Sequence, residues 1–137
     1  MNQNKVRLLE YEIHGDERGS LVALEQMKSI PFEVKRVYFM YDTEKGYVRG
    51  CHAHKNLEQV LVCVHGSCMI KLDDGTETRI IRLDNPNEGL YIGSMIWREM
   101  SEFSDGSVLL AIASELYDED DYIRDYDEFI LLVGVGG

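Results

Sequence analysis

Apolar and polar positions alternate along this chain in short runs, and helical spacing is scarce. The segment "IPFEVKRVYFMYD" (30–42) sets Val34, Arg36, Tyr38 and Met40 against Lys35, Val37, Phe39 and Tyr41, the period of a strand. "LEQVLVCVHG" (57–66) is a β-branched run stopped at His65-Gly66, and "SCMIKLDDGTETRIIRLD" (67–84) predicts a hairpin turning at Asp74-Gly75. "NPNEG" (85–89) has loop chemistry. "LYIGSMIW" (90–97) and "SVLLAIASEL" (107–116) predict strands, the second also compatible with a buried helix. Turn signals fall roughly every 8–12 residues with no alternation of strand and helix, which predicts an all-β sandwich or barrel.

The stretch "YDEDDYIRDYDEFI" (117–130) breaks this rhythm. Tyr122, Ile123, Tyr126 and Phe129 recur at helical intervals, predicting a short C-terminal turn or helix that packs aromatics on the barrel. Its acidic residues lack the spacing of a calcium loop and read as a solvated face. The closing "LLVGVGG" (131–137) is expected to fray. With no internal repeat and no linker, residues 1–137 read as a single domain.

Composition narrows the function. A chain that is 45% apolar and 28% charged is ordinary globular material. Its formal charge of -11 argues against duplex DNA and anionic membranes as partners. An anionic ligand would need arginines that converge locally. The N-terminal residues carry no signal-peptide core, and no run of about 18 apolar residues occurs, so a cytoplasmic location is expected. Cys51, Cys63 and Cys68 lack metal-type CxxC spacing; Cys63 and Cys68 read as buried free thiols.

Residues 49–59, "RGCHAHKNLEQ", carry the candidate chemistry. In a strand, side chains two apart share a face, so His52 and His54 point the same way with Gly50, while Arg49, Cys51 and Ala53 point the other. Gln59 shares a face with Leu61 and Cys63. Two imidazoles with a carboxylate or amide from the next strand suit either a metal site or proton transfer, since imidazole titrates near pH 6.5. His14 and His65 lie in turn contexts and carry no such weight.

"HAHKNLEQ" followed by Gly66 resembles the first cupin motif, and "GLYIGSMIWREM" (89–100) resembles the second. Where metal-binding cupins place a last histidine ligand, this chain has Arg98, which cannot bind a metal. Gln59, or Glu58 if the alignment shifts by one, is a weak substitute for a ligating glutamate. Together with "DERGSLVALE" (16–25), 30–42, 49–67 and "ASELYDEDDYIRDYDEF" (113–129), the motifs are similar over nearly the whole chain to the sugar nucleotide 3,4-ketoisomerases, which act on dTDP-4-keto-6-deoxy-D-glucose.

This resemblance implies a cupin jelly roll with a short C-terminal helical or irregular segment, no cofactor and no metal, and acid–base isomerisation through an enediol in dTDP-3-amino-sugar biosynthesis. By the family pattern His54 is the leading base, with His52 as partner or relay, and Tyr38 is a candidate for hydrogen bonding the sugar or polarising an enediolate oxygen. Arg18, Arg36, Arg49 and Arg98 are candidates for the diphosphate and sugar oxygens, with Gln59 as a further substrate contact. Trp97 reads as packing. Arginine in "WREM" leans towards the gluco product, whereas Arg18 resembles galacto-type members. The alternatives are a 3,5-epimerase, whose usual pattern has a catalytic histidine–aspartate pair and a longer chain, and a non-catalytic sugar-nucleotide-binding cupin. A metal-dependent dioxygenase is a more distant option. The resemblance also implies a homodimer, for which the N-terminal strand around 5–13 is a candidate to cover a neighbour's sheet.

Overall fold

The computed structural model describes residues 1–136. Twelve strands run in order: β1 (Val6–Glu10), β2 (His14–Asp16), β3 (Gly19–Leu21), β4 (Arg36–Met40), β5 (Arg49–His54), β6 (Gln59–His65), β7 (Cys68–Asp73), β8 (Thr78–Leu83), β9 (Glu88–Ile92), β10 (Trp97–Ser101), β11 (Val108–Ala113) and β12 (Tyr122–Ile123). A 3-10 turn at Glu119–Asp121 precedes β12, and a helix α1 (Tyr126–Gly136) follows it. One five-stranded sheet has the order β1-β9-β6-β11-β4, the other β12-β5-β10-β7-β8, and β2 and β3 form a separate hairpin. All the pairings within these sheets are antiparallel. Leu61, Leu90, Ile92 and Leu109 of the first sheet meet Ile70, Leu72, Leu83 and Met100 of the second in one buried core. The result is the jelly-roll sandwich that the cupin motifs imply.

A second cluster, with Ile30, Phe32, Val60, Val62, Tyr91 and Ile112, packs segment 22–34 on the outer face of the first sheet. That is why Val60 and Val62 are as buried as Leu61, and why this strand reads as a continuous apolar run. Trp97, Ala53, Ile123 and Phe129 form a third cluster under α1, which makes Trp97 a packing residue.

The structure corrects several expectations. "LYIGSMIW" is not one strand: it breaks after Ile92, and the chain crosses from β9 in one sheet to β10 in the other. The ambiguous segment 107–116 is strand β11. Tyr122 and Ile123 do not share a helix with Tyr126 and Phe129; they pair with β5, so the helical spacing joined two different elements. The closing residues do not fray from residue 131: α1 continues to Gly136, and Gly137 lies outside the described residues. The N-terminal strand β1 pairs with β9 of its own chain and forms one outer edge of the first sheet.

Candidate active site

One end of the sandwich interior is polar. Arg98 stands directly across from His52 in the pairing of β10 with β5, and Tyr122 stands across from His54 in the pairing of β12 with β5. Gln59, at the start of β6, faces them from the other sheet. His54, Gln59 and Arg98 are each 0% exposed, and His52 is 7% exposed. Arg98 Nη1 donates to Gln59 Oε1 and Nη2 to the Ile96 carbonyl at 2.8 Å, while Gln59 Nε2 donates to Tyr38 Oη at 3.1 Å. Among the described residues no carboxylate pairs with Arg98, and its Nε has no partner.

The two imidazoles differ in their surroundings. Their ring centroids are 4.7 Å apart and nearly perpendicular, and the Tyr122 ring lies 5.0 Å from His52 and 4.4 Å from His54. His54 Nδ1 sits 3.0 Å from Asp121 Oδ2, leaving Nε2 unpartnered; neither ring nitrogen of His52 has a partner. Burial, followed by the cation on Arg98, pushes His52 down to about 2. The same two causes, joined by Arg36 and Arg124, push His54 well below the ordinary imidazole value. Both rings are therefore neutral at pH 7, the state in which imidazole accepts a proton. Burial also lowers Arg98, to about 10, which leaves it cationic at neutral pH.

A pocket of about 440 Å³ opens over this cluster, lined by His52, Tyr38, Arg36, Arg49, Tyr117, Tyr122 and Arg124 among others. Arg36 stacks on Tyr38 and Tyr117, with guanidinium carbon to ring centroid distances of 5.1 and 5.6 Å, and its Nε and Nη2 have no partner. Arg124 lies 4.3 Å over Tyr122 and is held by Glu119 at 2.7 and 3.0 Å. The pocket thus offers cations at its rim and a neutral base, His52, in its lining, a layout suited to an anionic substrate that must lose and regain a proton. Among the described residues, no three His, Cys, Asp or Glu side chains gather as a metal site would require.

Tyr38, His52, His54, Gln59, Arg36 and Arg98 come together as the motifs suggest. Arg49 joins them against the alternation argument. Opposite Arg98–Met100 the β5 strand runs from His52 to Arg49, one residue more, and this bulge turns Arg49 to the pocket rim. Gly50 permits the bend with φ 69° and lies against the Met100 side chain. Arg18 is not brought to the pocket: it sits on the β2–β3 hairpin, 85% exposed, and its Nη2 donates to Asp16 at 2.6 Å. His52 lines the pocket, whereas His54, the leading base by family pattern, lies a layer deeper and is fully buried.

Sequence reasoning missed Asp121, Tyr122, Tyr117 and Arg124. The acidic stretch is not wholly solvated, because Asp121 turns inward and is 8% exposed. No spacing marks which of its carboxylates does so. The epimerase argument also needs correction, since a buried histidine–aspartate pair, His54–Asp121, is present here.

Residues 4–134 match the family described as "FdtA: WxcM-like, C-terminal". A TDP-4-oxo-6-deoxy-alpha-D-glucose-3,4-oxoisomerase from Aneurinibacillus thermoaerophilus is 56% identical over 114 residues, covering 83% of this chain and 82% of the relative. Among solved structures, a mutant of the 3,4-ketoisomerase QdtA from Thermoanaerobacterium thermosaccharolyticum in complex with TDP-4-keto-6-deoxyglucose is 45% identical. It superposes with TM-score 0.94 over 96% of this chain and 95% of that one. The WlaRB TDP-quinovose 3,4-ketoisomerase from Campylobacter jejuni is 52% identical, with TM-score 0.89 over 92% of this chain and 97% of that one. Fold and pocket define a cupin-type isomerase. The chain belongs to the family of sugar nucleotide 3,4-ketoisomerases.

Proposed function

We propose that this enzyme converts dTDP-4-keto-6-deoxy-D-glucose to the 3-keto isomer through the neutral imidazoles of His52 and His54, without a metal or cofactor. The observation that carries this reading is the pair of buried imidazoles set against Arg98, a cation with no carboxylate partner among the described residues. The C3 hydrogen is acidic because it is α to the C4 carbonyl. His52, nearest the pocket, takes that proton, and the C–H electrons form the C3=C4 bond with negative charge on the C4 oxygen. Tyr38 and Arg98 stabilise that oxyanion. The hydroxyl proton then passes from the C3 oxygen to the C4 oxygen, C4 takes a proton, and the ketone stands at C3. Atoms and electrons balance without an oxidant. Arg36, Arg49 and Arg124 hold the diphosphate at the rim.

The C4 hydroxyl of the product takes the gluco orientation, a reading supported by Arg98 and by the similarity to an enzyme named for quinovose, the 6-deoxy-gluco sugar. A 3-keto product suits an aminotransferase as the next step, in the cytoplasm. The working unit is a homodimer. Among the described residues outer strand β4 pairs with β11 alone, and Val37 and Phe39 on it and Tyr41 just after it are 55%, 58% and 61% exposed. Arg18, remote from its own pocket, would meet substrate only from across such a contact.

Incubation in deuterated water tests the reaction. Deuterium at C4 of a 3-keto product is expected; exchange at C3 and C5 with the ketone still at C4 would make the enzyme an epimerase, and no product from folded protein would end the reading. In ordinary water, a large H4–H5 coupling reports gluco. A small one reports galacto and shifts attention from Arg98 to Arg18. Sedimentation at micromolar concentration should show a dimer that Phe39→Glu dissociates.

A further inference from the structure

The carboxylate of Asp121 is a full acceptor in a dry place. Its Oδ1 takes the backbone N–H of Asn56 at 2.7 Å, and its Oδ2 takes that of Leu57 at 3.3 Å and faces His54 Nδ1 at 3.0 Å. The Asp121 carbonyl also accepts the backbone N–H of Lys55 at 2.9 Å. Three consecutive residues after the histidine strand are thus tied to one aspartate, and the backbone of His54 is fixed as well, its carbonyl accepting Met95 N–H at 2.7 Å. With both backbone donors pointing at the carboxylate, Asp121 can only accept from the ring. The hydrogen of neutral His54 must then sit on Nδ1, and the lone pair on Nε2. His52 has no such anchor on either nitrogen.

We infer that Asp121 is a positioning residue, fixing His54 in the Nδ1–H tautomer so that its buried Nε2 is a constant proton acceptor while His52 remains free to take or give a proton at either nitrogen. This rests on the isomerase reading for its catalytic meaning, but the tautomer itself does not. The unequal anchoring divides the labour within the pair: His52 meets the substrate, and the His54–Asp121 unit behind it holds the site's second proton position in one state. An Asp121→Asn amide cannot reproduce this. If its oxygen accepts from Asn56, its NH2 opposes both the Leu57 N–H and the Nδ1–H, which favours the other tautomer.

The test is nitrogen-15 NMR of histidine-labelled protein, read alongside steady-state kinetics. In the unmodified enzyme His54 should show a protonated-type shift at Nδ1 and a lone-pair-type shift at Nε2, whether or not turnover is seen. Asp121→Ala should abolish that preference and lower kcat by roughly 10²- to 10⁴-fold, the range of a general acid–base contribution, with little change in KM. Asp120→Asn, an exposed neighbour, should change neither. A proton found on Nε2 in the unmodified enzyme overturns the proposal, and that measurement needs no folded variant. So does a folded Asp121→Ala variant that keeps its kcat. A fixed Nδ1–H tautomer in a protein without isomerase activity would instead overturn the functional reading alone.

Discussion

The two ends of the sandwich interior are built on the same strands and are equally dry, yet they are opposite in kind. Along the inward face of β6, Gln59 is followed by Leu61 and Cys63; along β10, Arg98 is followed by Met100. Leu61, Leu72 and Leu90 are as buried as His54 and Arg98, all at 0% exposure. The apolar end gains stability from every group it hides. The polar end buries His52 Nδ1 and Nε2, His54 Nε2 and Arg98 Nε with no hydrogen-bond partner among the described protein groups, an arrangement that favours the fold less than the apolar end does. Groups left unsatisfied in the free protein are the ones a bound substrate can satisfy, so one end secures the fold and the other is held ready at its expense.

The sharpest way to separate the two ends is to remove one group from each. His52→Asn should lower kcat by about 10²- to 10⁴-fold while leaving thermal stability equal or higher, because a buried base is replaced by an amide that can bond to its neighbours. Leu72→Ala, at the apolar end, should lose about 2–5 kcal/mol of stability in urea titrations and retain the turnover number while folded. Activity lost in parallel with stability in both variants would erase the contrast.

A finer test exchanges chemistry within the polar end. Arg98→Met together with Gln59→Leu removes donor and acceptor at once, so neither is left facing an empty partner. Denaturant unfolding should show a gain of about 1–4 kcal/mol with catalysis abolished. A destabilised double variant would mean that the Arg98–Gln59 contact holds the fold together rather than opposing it.

The apolar end was the more legible in the sequence. Alternation in 30–42 and the Asp74-Gly75 turn predict β4 and the β7–β8 hairpin because one buried face forces a period of two. Where both faces are covered the signal fades: "LYIGSMIW" concealed a crossing between sheets because Gly93 and Ser94 interrupt an otherwise unbroken apolar run. At the polar end, His52 and His54 were visible through their spacing and Arg98 through the motif. Asp121 was not, because it reaches His54 across 67 positions of sequence. Arg49 was assigned to the wrong face because a bulge is a local exception to alternation that only the neighbouring strand reveals. Arg18 resembled a site residue by its motif, but a motif does not say whether the fold brings a side chain to the pocket, and the β2–β3 hairpin holds Arg18 against Asp16 instead.

The smallest effect is a slope, and it distinguishes the ends without touching the apolar one. His52 faces Arg98, His54, Tyr122, Arg124 and Glu119; His54 faces Arg98, Arg36, Arg124, Asp121, His52 and Tyr122. Burial and the neighbouring cations, against Glu119 alone at His52, keep both rings neutral in the folded chain, whereas in the unfolded chain they take up protons near pH 6.5. Below that value the unfolded state binds more protons than the folded one, and stability must fall as pH falls, by at most about 1.4 kcal/mol per pH unit for each histidine. Urea midpoints between pH 7 and 5 should show this decline, and His52→Asn should remove up to half of it. The same depression keeps the free enzyme's base unprotonated, so kcat/KM should pass through pH 6.5 without the drop that an ordinary histidine base would impose. A kinetic limb at 6.5, or a midpoint that does not move across this range, would mean that the rings are not held neutral and that the polar end is less costly than its burial implies.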